Sequence, residues 1–202
     1  MADRLLVFAR APVPGMVKTR LIPALGPEGA ADLHARLLER TLETVCATAL
    51  APVELWCTPD TAHPAFTAAH TRLGVKLRAQ PDGDLGRRML AALESALADG
   101  DRALLVGCDC PALTADDLAE AFAALADHDV VLGPAEDGGY VLVGARRVSP
   151  VLFDGIEWGG PRVLHQTRGR LVALGWRWHE LRTLWDVDRP EDVERLTELG
   201  LG

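Results

Sequence analysis

The sequence predicts an α/β protein with a mainly parallel sheet that helices cover on both faces. Short, continuous apolar runs such as residues 5–9 and 103–106 are typical of strands that are buried on both faces. These runs alternate along the chain with segments whose apolar residues recur at helical spacing, as in βαβ units. At 202 residues, with 49% hydrophobic and 25% charged residues, the chain suits one compact domain over residues 1–202.

Each predicted element in the first half rests on a local pattern. The run over 5–9 is the first strand, and a loop over 10–20, rich in Pro and Gly, follows it. A helix over 27–49 has Pro27 in its first turn and apolar residues at every third or fourth position. Three elements complete this half: a strand over 53–57, a helix over 64–71 and a strand over 75–79.

The second half continues the alternation. Asp84 is placed to cap a helix that ends at residue 98, and residues 103–106 form the cleanest buried strand. Thr114, followed by two acidic residues in the first turn, begins a helix that ends near residue 126. The remaining elements are strands over 130–132 and 140–143, a helix over 161–174, a strand over 178–181 and a helix over 191–199.

Composition and charge argue against several classes of protein. The formal net charge is -8, from 21 Lys and Arg against 29 Asp and Glu, which is unfavourable for nucleic-acid binding. No apolar run approaches the roughly 20 residues that a membrane span needs, and a secretory-signal pattern is missing. We therefore expect a cytoplasmic protein, whose four cysteines are ordinary reduced thiols.

Candidate site residues come directly after strands, at the edge of a parallel sheet where ligands bind. The loop after the first strand carries Gly15, Lys18 and Arg20. Gly15 permits a tight turn, and the two cations suit phosphate oxygens. A solvated surface loop is an equally good interpretation, since the loop lacks the glycine and lysine spacing of a P-loop.

Two carboxylates far apart in the sequence are candidate metal ligands. Asp109 follows the cleanest strand, and Asp188 precedes the last helix, so both are expected at one cleft. Two carboxylates about 4 Å apart repel by roughly 4 kcal/mol at an effective dielectric near 20, which a cation between them offsets. Oxygen ligands without imidazole favour Mg²⁺ or Mn²⁺. The alternative for Asp109 is a hydrogen bond within its own turn.

Other features allow two interpretations each. The acids and glycines at 136–139 suit close backbone approach to a ligand, while Asp-Gly is also the commonest hairpin signal. The junction at 83–88 can meet a base or phosphate with its amides, or can be a plain capped helix. Trp158 is predicted as a core residue, with stacking on a ring in the cleft as the alternative. The six histidines share no ligand spacing, and we predict that none is catalytic.

Five motifs, in this order, resemble those of small bacterial glycosyltransferase-A-like proteins. Some members of that family are described as arsenosugar-biosynthesis glycosyltransferases. The motifs are Ala-Pro-Val-Pro-Gly-Met-Val-Lys-Thr-Arg-Leu, Gly-Asp-Leu-Gly-Arg-Arg-Met, Gly-Cys-Asp-Cys-Pro, Gly-Pro-Ala-Glu-Asp-Gly-Gly-Tyr and Trp-Asp-Val-Asp-Arg-Pro-Glu-Asp. The resemblance covers residues 5–199, and many members have serine where this chain has Cys108.

The resemblance implies a Rossmann-like three-layer α/β/α sandwich, the nucleotide-diphospho-sugar transferase fold, with a mostly parallel sheet and one antiparallel strand. It also implies kinship with molybdenum-cofactor and phospholactate nucleotidyltransferases. By that resemblance Asp109 and Asp188 hold the divalent ion. We expect Asp109, Lys18 and Asp137 to be catalytic, with Asp137 or Glu136 as the base toward an acceptor hydroxyl. The implied nucleotide contacts are Ala9, Arg10, Gly15, Lys18, Arg20, Gly83, Asp84, Gly86 and Arg88. The implied acceptor or sugar contacts are Glu136, Asp137, Gly138 and Gly139.

The function we expect from these residues is metal-dependent glycosyl transfer from a nucleotide-sugar to a small-molecule acceptor, with Mg²⁺ or Mn²⁺ as cofactor. The alternative is nucleotidyl transfer from a nucleoside triphosphate to a phosphorylated or acidic small molecule, with release of pyrophosphate. A nucleotide-binding module without turnover is a third candidate. No nucleic-acid or membrane partner is expected, and the oligomeric state, a homodimer included, stays open.

Overall fold

The computed structural model describes residues 3–198 and residue 200. Its strands are β1 (Asp3–Arg10), β2 (Val53–Thr58), β3 (Lys76–Ala79), β4 (Arg102–Gly107), β5 (Val130–Pro134), β6 (Tyr140–Ala145) and β7 (Trp178–Glu180). Its α-helices are α1 (Ile22–Ala47), α2 (Pro64–Leu73), α3 (Leu85–Ala98), α4 (Ala115–Ala124), α5 (Val163–Leu174) and α6 (Pro190–Glu198). Every strand and helix of the predicted alternation is therefore present.

The seven strands form one sheet in the order β3-β2-β1-β4-β6-β5-β7. β6 runs antiparallel to both of its neighbours, β4 and β5, and all other neighbouring pairs are parallel. The reversal follows from the short turn between β5 and β6, because strands joined by so short a connection can pair only as an antiparallel hairpin. The prediction of a mostly parallel sheet with one antiparallel strand is confirmed.

Helices cover both faces of this sheet, so β1 is buried on each side. Leu5 and Val7 point into a core with the apolar faces of α1, α2 and α4. Leu6 and Phe8 point into a second core with α3 and α5. Because successive side chains of a strand alternate between faces, a strand buried on both sides has to be apolar throughout. This accounts for the continuous run at the start of the sequence.

The predicted bounds of α1 differ from those observed. α1 begins at Ile22 rather than at Pro27, but Gly26 (φ 71°, ψ 166°) interrupts its helical backbone immediately before Pro27. It ends at Ala47 rather than residue 49, since Ala49 adopts a positive φ of 49° that no regular helix contains. The predicted end of the last helix, Leu199, lies outside the described residues.

Side-chain caps fix the starts of α3 and α4 as predicted. An Asp84 carboxylate oxygen accepts a 2.8 Å hydrogen bond from the Arg87 amide. Thr114 and Asp117 form a reciprocal capping box at α4. Both helices follow strands directly, so these caps also position the loops at the edge where the candidate site residues lie.

Within the described part of the chain, no helix is both long and apolar enough to cross a membrane.

Candidate active site

The predicted site loops leave the sheet side by side. β1 and β4 are neighbouring parallel strands, with Phe8 opposite Gly107, so the loops after them start at the same edge. The segment over 185–188 reaches this edge, where the Val187 amide donates a 2.9 Å hydrogen bond to the Asp109 carbonyl. Three segments that are distant in the sequence therefore meet around Asp109.

Lys18 connects these three segments through its side chain. Its backbone is left-handed (φ 48°, ψ 39°), which is uncommon for a residue with a side chain. The Nζ atom lies 2.7 Å from Oδ1 of Asp109 and donates a 2.5 Å hydrogen bond to the Val187 carbonyl. The Lys18 side chain is only 5% exposed. An ammonium has three hydrogens, so one remains for a ligand such as the predicted phosphate.

Asp109 carries a stable negative charge at this junction. Desolvation opposes ionisation of the carboxyl, but the neighbouring Lys18 and His34 outweigh that effect and hold the pKa of Asp109 well below its usual range. Its side chain is still 43% exposed. A carboxylate that is charged at neutral pH and open to solvent is available as a metal ligand.

His34 is the buried neighbour of Asp109, although the sequence assigned it no role. It is 4% exposed, and its Nε2 lies 3.0 Å from the Arg10 carbonyl. A carbonyl only accepts, so Nε2 carries a hydrogen. The Nδ1 atom lies 3.4 Å from Oδ1 of Asp109, a contact rather than a well-formed hydrogen bond, and has no other partner among the described residues. His34 therefore links the end of β1 to Asp109.

Ligand atoms of His34, Cys108 and Asp109 all lie within 4.8 Å of one another, a spacing compatible with one metal ion. Burial raises the pKa of the Cys108 thiol well above its usual range, so the thiol stays protonated. Lys18 already occupies Oδ1 of Asp109. Because a metal needs the thiolate, this trio fits an ion less well than a set of carboxylates does.

A cavity of about 440 Å³ opens where these loops meet, and its lining is rich in acids. Its charged lining residues are Arg20, Glu136, Asp137, Asp186, Asp188, Arg189 and Asp192. The excess of carboxylates over arginines makes the cavity favourable for a cation. It brings together four residues predicted from distant parts of the sequence, namely Arg20, Glu136, Asp137 and Asp188.

Asp186 is a member of this cavity that the sequence analysis did not select. Burial and the negative charges of Asp137 and Asp109 raise the pKa of Asp186 to about 6, with Lys18 acting in the opposite direction. Carboxylates that destabilise one another's charge in this way attract a cation. Among the described residues, no three of these carboxylates bring ligand atoms within 4.8 Å of one another. The signal available in the sequence was the Asp-x-Asp spacing of Asp186 and Asp188.

Asp188, the second predicted metal ligand, is engaged by a cation of the protein. Its carboxylate forms an ion pair with the Arg20 guanidinium, and both side chains remain substantially exposed. The backbone amides of Asp188 and Arg189 donate to Asp192, which fixes the start of α6. Arg20 and Asp188 thus do meet, while a metal bridge between Asp109 and Asp188 stays a prediction.

The segment over 136–139 forms the hairpin turn between β5 and β6, which is one of its two predicted roles. Asp137 accepts a 2.8 Å hydrogen bond from the Gly139 amide. Gly138 has φ 89°, and a Cβ there would lie 2.1 Å from the Pro161 carbonyl oxygen. Protein packing therefore requires a glycine at position 138, and contact of Gly138 with a ligand stays a prediction.

Glu136 is held by the protein more firmly than Asp137. Both Glu136 carboxylate oxygens accept from Arg195, at 2.8 and 3.2 Å, and Arg195 stacks over Trp185 at 4.1 Å. The hydrogen bonds from Arg195 lower the pKa of Glu136. Since one oxygen of Asp137 has no partner among the described residues, Asp137 is the more available of the two acids.

The predicted nucleotide contacts near β1 lie at this same edge of the sheet. Ala9 and Arg10 end β1, and Gly15 occupies an exposed turn with φ 80°. The amide of Gln80 joins the loop after β3 to β1 and β2, donating to the carbonyls of Trp56 at 2.8 Å and Ala9 at 3.3 Å. Gln80 was not predicted, and only the strand order reveals its position.

The remaining nucleotide candidates form the start of α3. Arg88 Nε donates a 2.8 Å hydrogen bond to the Gly83 carbonyl, and Asp84 caps the helix. A Cβ on Gly86 would lie 2.6 Å from Nε1 of Trp158, so close packing of that ring explains the glycine. Contact of these residues with a nucleotide stays a prediction.

Fold and site together define an α/β protein of the nucleotide-diphospho-sugar transferase class, with an acidic cavity at the carboxyl edge of its sheet. The family model described as "Uncharacterized protein conserved in bacteria (DUF2064)" matches residues 41–160, more than half of the chain. The chain belongs to this DUF2064 family.

Three similar proteins extend the comparison. A phosphoenolpyruvate guanylyltransferase from Sphaerobacter thermophilus is 28% identical over 183 residues, 89% of this chain and 86% of the relative. A crystal structure from Desulfovibrio desulfuricans, provisionally described as a nucleotide-diphospho-sugar transferase, is 33% identical with a TM-score of 0.85, covering 94% of this chain and 84% of that one. A manganese complex of a Mycobacterium tuberculosis protein shares the fold, at 19% identity and a TM-score of 0.57, covering 98% and 99%.

Proposed function

We propose that this protein is a metal-dependent nucleotidyltransferase that joins a nucleoside triphosphate to a small acceptor and releases pyrophosphate. The observation that carries the proposal is the acidic cavity that Asp137, Asp186 and Asp188 line. Asp109, with Lys18 bound to it, lies near enough to Asp186 for its charge to act on that carboxyl. The relative named as a guanylyltransferase supports nucleotidyl transfer over the glycosyl transfer that the sequence favoured.

In the proposed reaction an acceptor oxygen attacks the α-phosphorus, the bond to the β-phosphate oxygen breaks, and pyrophosphate leaves with the electron pair. Where the attacking oxygen belongs to a hydroxyl, the free oxygen of Asp137 takes its proton, whereas an ionised phosphate oxygen attacks without a base. The third N–H of Lys18 and the guanidinium of Arg20 bind phosphate oxygens on which charge increases. Asp109 with Asp186 or Asp188 would hold a Mg²⁺ or Mn²⁺ ion, which would supply further neutralisation of negative charge on the phosphates.

Glycosyl transfer is the second candidate, because the Desulfovibrio structure at 33% identity is described as a nucleotide-diphospho-sugar transferase. The two reactions differ in their products. A nucleoside triphosphate donor yields pyrophosphate, whereas a nucleotide-sugar donor yields a nucleoside diphosphate.

The test has a binding stage and a turnover stage. Thermal unfolding is measured with each nucleoside triphosphate and nucleotide-sugar, with and without Mn²⁺, since a ligand of the native state raises the melting temperature. Turnover is then measured with GTP and phosphoenolpyruvate, the substrates suggested by the relative. Pyrophosphate release supports the proposal, and release of a nucleoside diphosphate from a nucleotide-sugar supports the second candidate. Absence of any nucleotide binding contradicts both.

Asp109→Asn is the decisive variant, with Asp127→Asn as its matched control. Asp127 is exposed and lies before β5, at the opposite edge of the sheet. We expect Asp109→Asn to lose the Mn²⁺-dependent shift and turnover while keeping its fold, and Asp127→Asn to keep all three. Unchanged metal dependence in Asp109→Asn would remove Asp109 from the mechanism.

A further inference from the structure

A second pocket, of about 170 Å³, lies between the start of α3 and β6, and apolar side chains dominate it. The apolar side chains that matter here are Leu85, Met89, Tyr140, Val141 and Trp158. Its volume is slightly larger than that of an engineered apolar cavity of about 150 Å³ that binds benzene. The pocket can therefore hold one six-membered ring.

Rigid aromatic packing forms one wall of this pocket. Trp158 packs against α3 at Gly86, where a Cβ would lie 2.6 Å from the indole Nε1. Its ring meets Tyr140 edge-on, with centroids 6.3 Å apart, and stacks on Phe153 at 6.4 Å. The Trp158 side chain is nevertheless only half-buried, so one side of a well-held aromatic ring faces the pocket. Both sequence interpretations of Trp158 are thus compatible with its position.

The pocket continues directly into the acidic cavity. Asp137, Gly159, Gly160 and Asp186 line both spaces. One molecule can therefore place a ring against the apolar wall and a polar group beside the carboxylates. At the mouth of the pocket, Leu85 is 44% exposed although it is apolar. It is the first residue of α3 and follows the charged cap residue Asp84.

The pocket borders the predicted nucleotide contacts at the start of α3, where Leu85 and Met89 are close in sequence to Gly83, Asp84, Gly86 and Arg88, but its β6 wall lies away from the contacts at β1. The nucleotide candidates follow β1 and β3, in the half of the sheet ordered β3-β2-β1, whereas β6 lies on the far side of β4. A nucleotide bound over the first half reaches Asp109 with its phosphates, which leaves the β6 side for the second substrate.

We propose that the acceptor carries an apolar ring, or a hydrocarbon group of that size, next to its reacting oxygen, and that the ring binds against Trp158 and Leu85. This inference rests on the proposed nucleotidyl transfer, because only that reaction makes the bound molecule an acceptor. The preference of the pocket for a ring can be measured without turnover. An acceptor without an apolar group, phosphoenolpyruvate included, leaves the pocket to water and gains nothing from it, so a ring-bearing acceptor should bind more tightly than phosphoenolpyruvate.

The test uses two probes: benzyl alcohol, which has a ring and one hydroxyl, and glycerol, which has hydroxyls but no ring. Binding of each probe to the full chain is measured by titration, with saturation-transfer NMR as the readout. Leu85→Gln places a polar group at the mouth of the pocket. Val151→Gln is the control, because Val151 is also 44% exposed and lies outside the pocket. We expect benzyl alcohol to bind the native protein and Val151→Gln equally, to bind Leu85→Gln about tenfold more weakly, and glycerol not to bind.

Equal affinity of benzyl alcohol for Leu85→Gln and the native protein, or no binding to the native protein, would overturn the inference. If circular dichroism shows that Leu85→Gln is unfolded, Val141→Thr, which keeps the side-chain shape and adds a hydroxyl, takes its place. The melting temperature with GTP and Mn²⁺ is measured on the same samples. If the native protein shows the nucleotide shift but does not bind benzyl alcohol, the ring proposal alone is refuted. If it binds benzyl alcohol but shows no nucleotide shift, the nucleotidyl transfer alone is refuted.

Discussion

Replacing Lys18 with Met removes the ammonium from Asp109 while keeping the length of the side chain. The charges in the native pair are 2.7 Å apart, which corresponds to about 6 kcal/mol of attraction at an effective dielectric of 20. The cost of burying Lys18 and the 43% exposure of Asp109 offset most of this attraction. We therefore expect a coupling of about 2 kcal/mol between the two residues.

The assay is a double-mutant cycle of urea unfolding at pH 7 with Lys18→Met, Asp109→Asn and the double variant. Lys18→Met should cost more in the native background than in the Asp109→Asn background, because the latter has no carboxylate left to stabilise. The pKa of Asp109 is depressed in the fold, so the stability it contributes is present above its unfolded pKa of about 4 and falls as the pH drops further. A coupling within error of zero at pH 7 would refute the electrostatic account of this junction.

Three further predictions concern residues around the site and the sheet. Gly138→Ala should lose about 2 kcal/mol or more of stability in urea unfolding, because its Cβ meets the Pro161 carbonyl, whereas Gly15→Ala, with a similar φ and open space, should lose clearly less. His34→Gln can still donate to the Arg10 carbonyl, whereas His34→Leu cannot, so His34→Leu should be about 1 kcal/mol less stable than His34→Gln in urea unfolding; equal stability of the two variants would contradict the hydrogen bond. Burial opposes the charge of Asp129, but hydrogen bonds from the Arg177 amide and the Arg147 side chain lower its pKa, so Asp129→Asn should flatten the loss of stability below about pH 4; an unchanged pH profile would contradict this.

The fold could be predicted from the sequence because its main signals are local. A strand buried on both faces, such as β1, must be continuously apolar, and caps such as Asp84 and Thr114 satisfy amides within their own first turn. The bounds of α1 were harder to predict, since Gly26 allows a short helical turn to precede Pro27. Nothing in the local pattern separates that turn from a loop.

The site was predicted only in part, because its contacts join residues that are far apart in the sequence. The rule that ligands bind where parallel strands end was sufficient to select Lys18 and Asp109. Their direct contact depends on the pairing of β1 with β4, which the sequence does not specify. His34 was missed because a histidine on the apolar face of α1 looks like any buried polar residue, and Asp186 because its importance comes from charges on two other loops.

The bond from the Lys18 ammonium to the Val187 carbonyl spans 169 positions. During synthesis the amino-terminal loop leaves the ribosome long before its carboxyl-terminal partner, at about 5–20 residues per second. Until that late segment emerges, a nascent chain can pair its early strands but lacks the Val187 carbonyl that accepts the hydrogen bond from Lys18. Products that end before residue 187 are therefore expected to lack this contact.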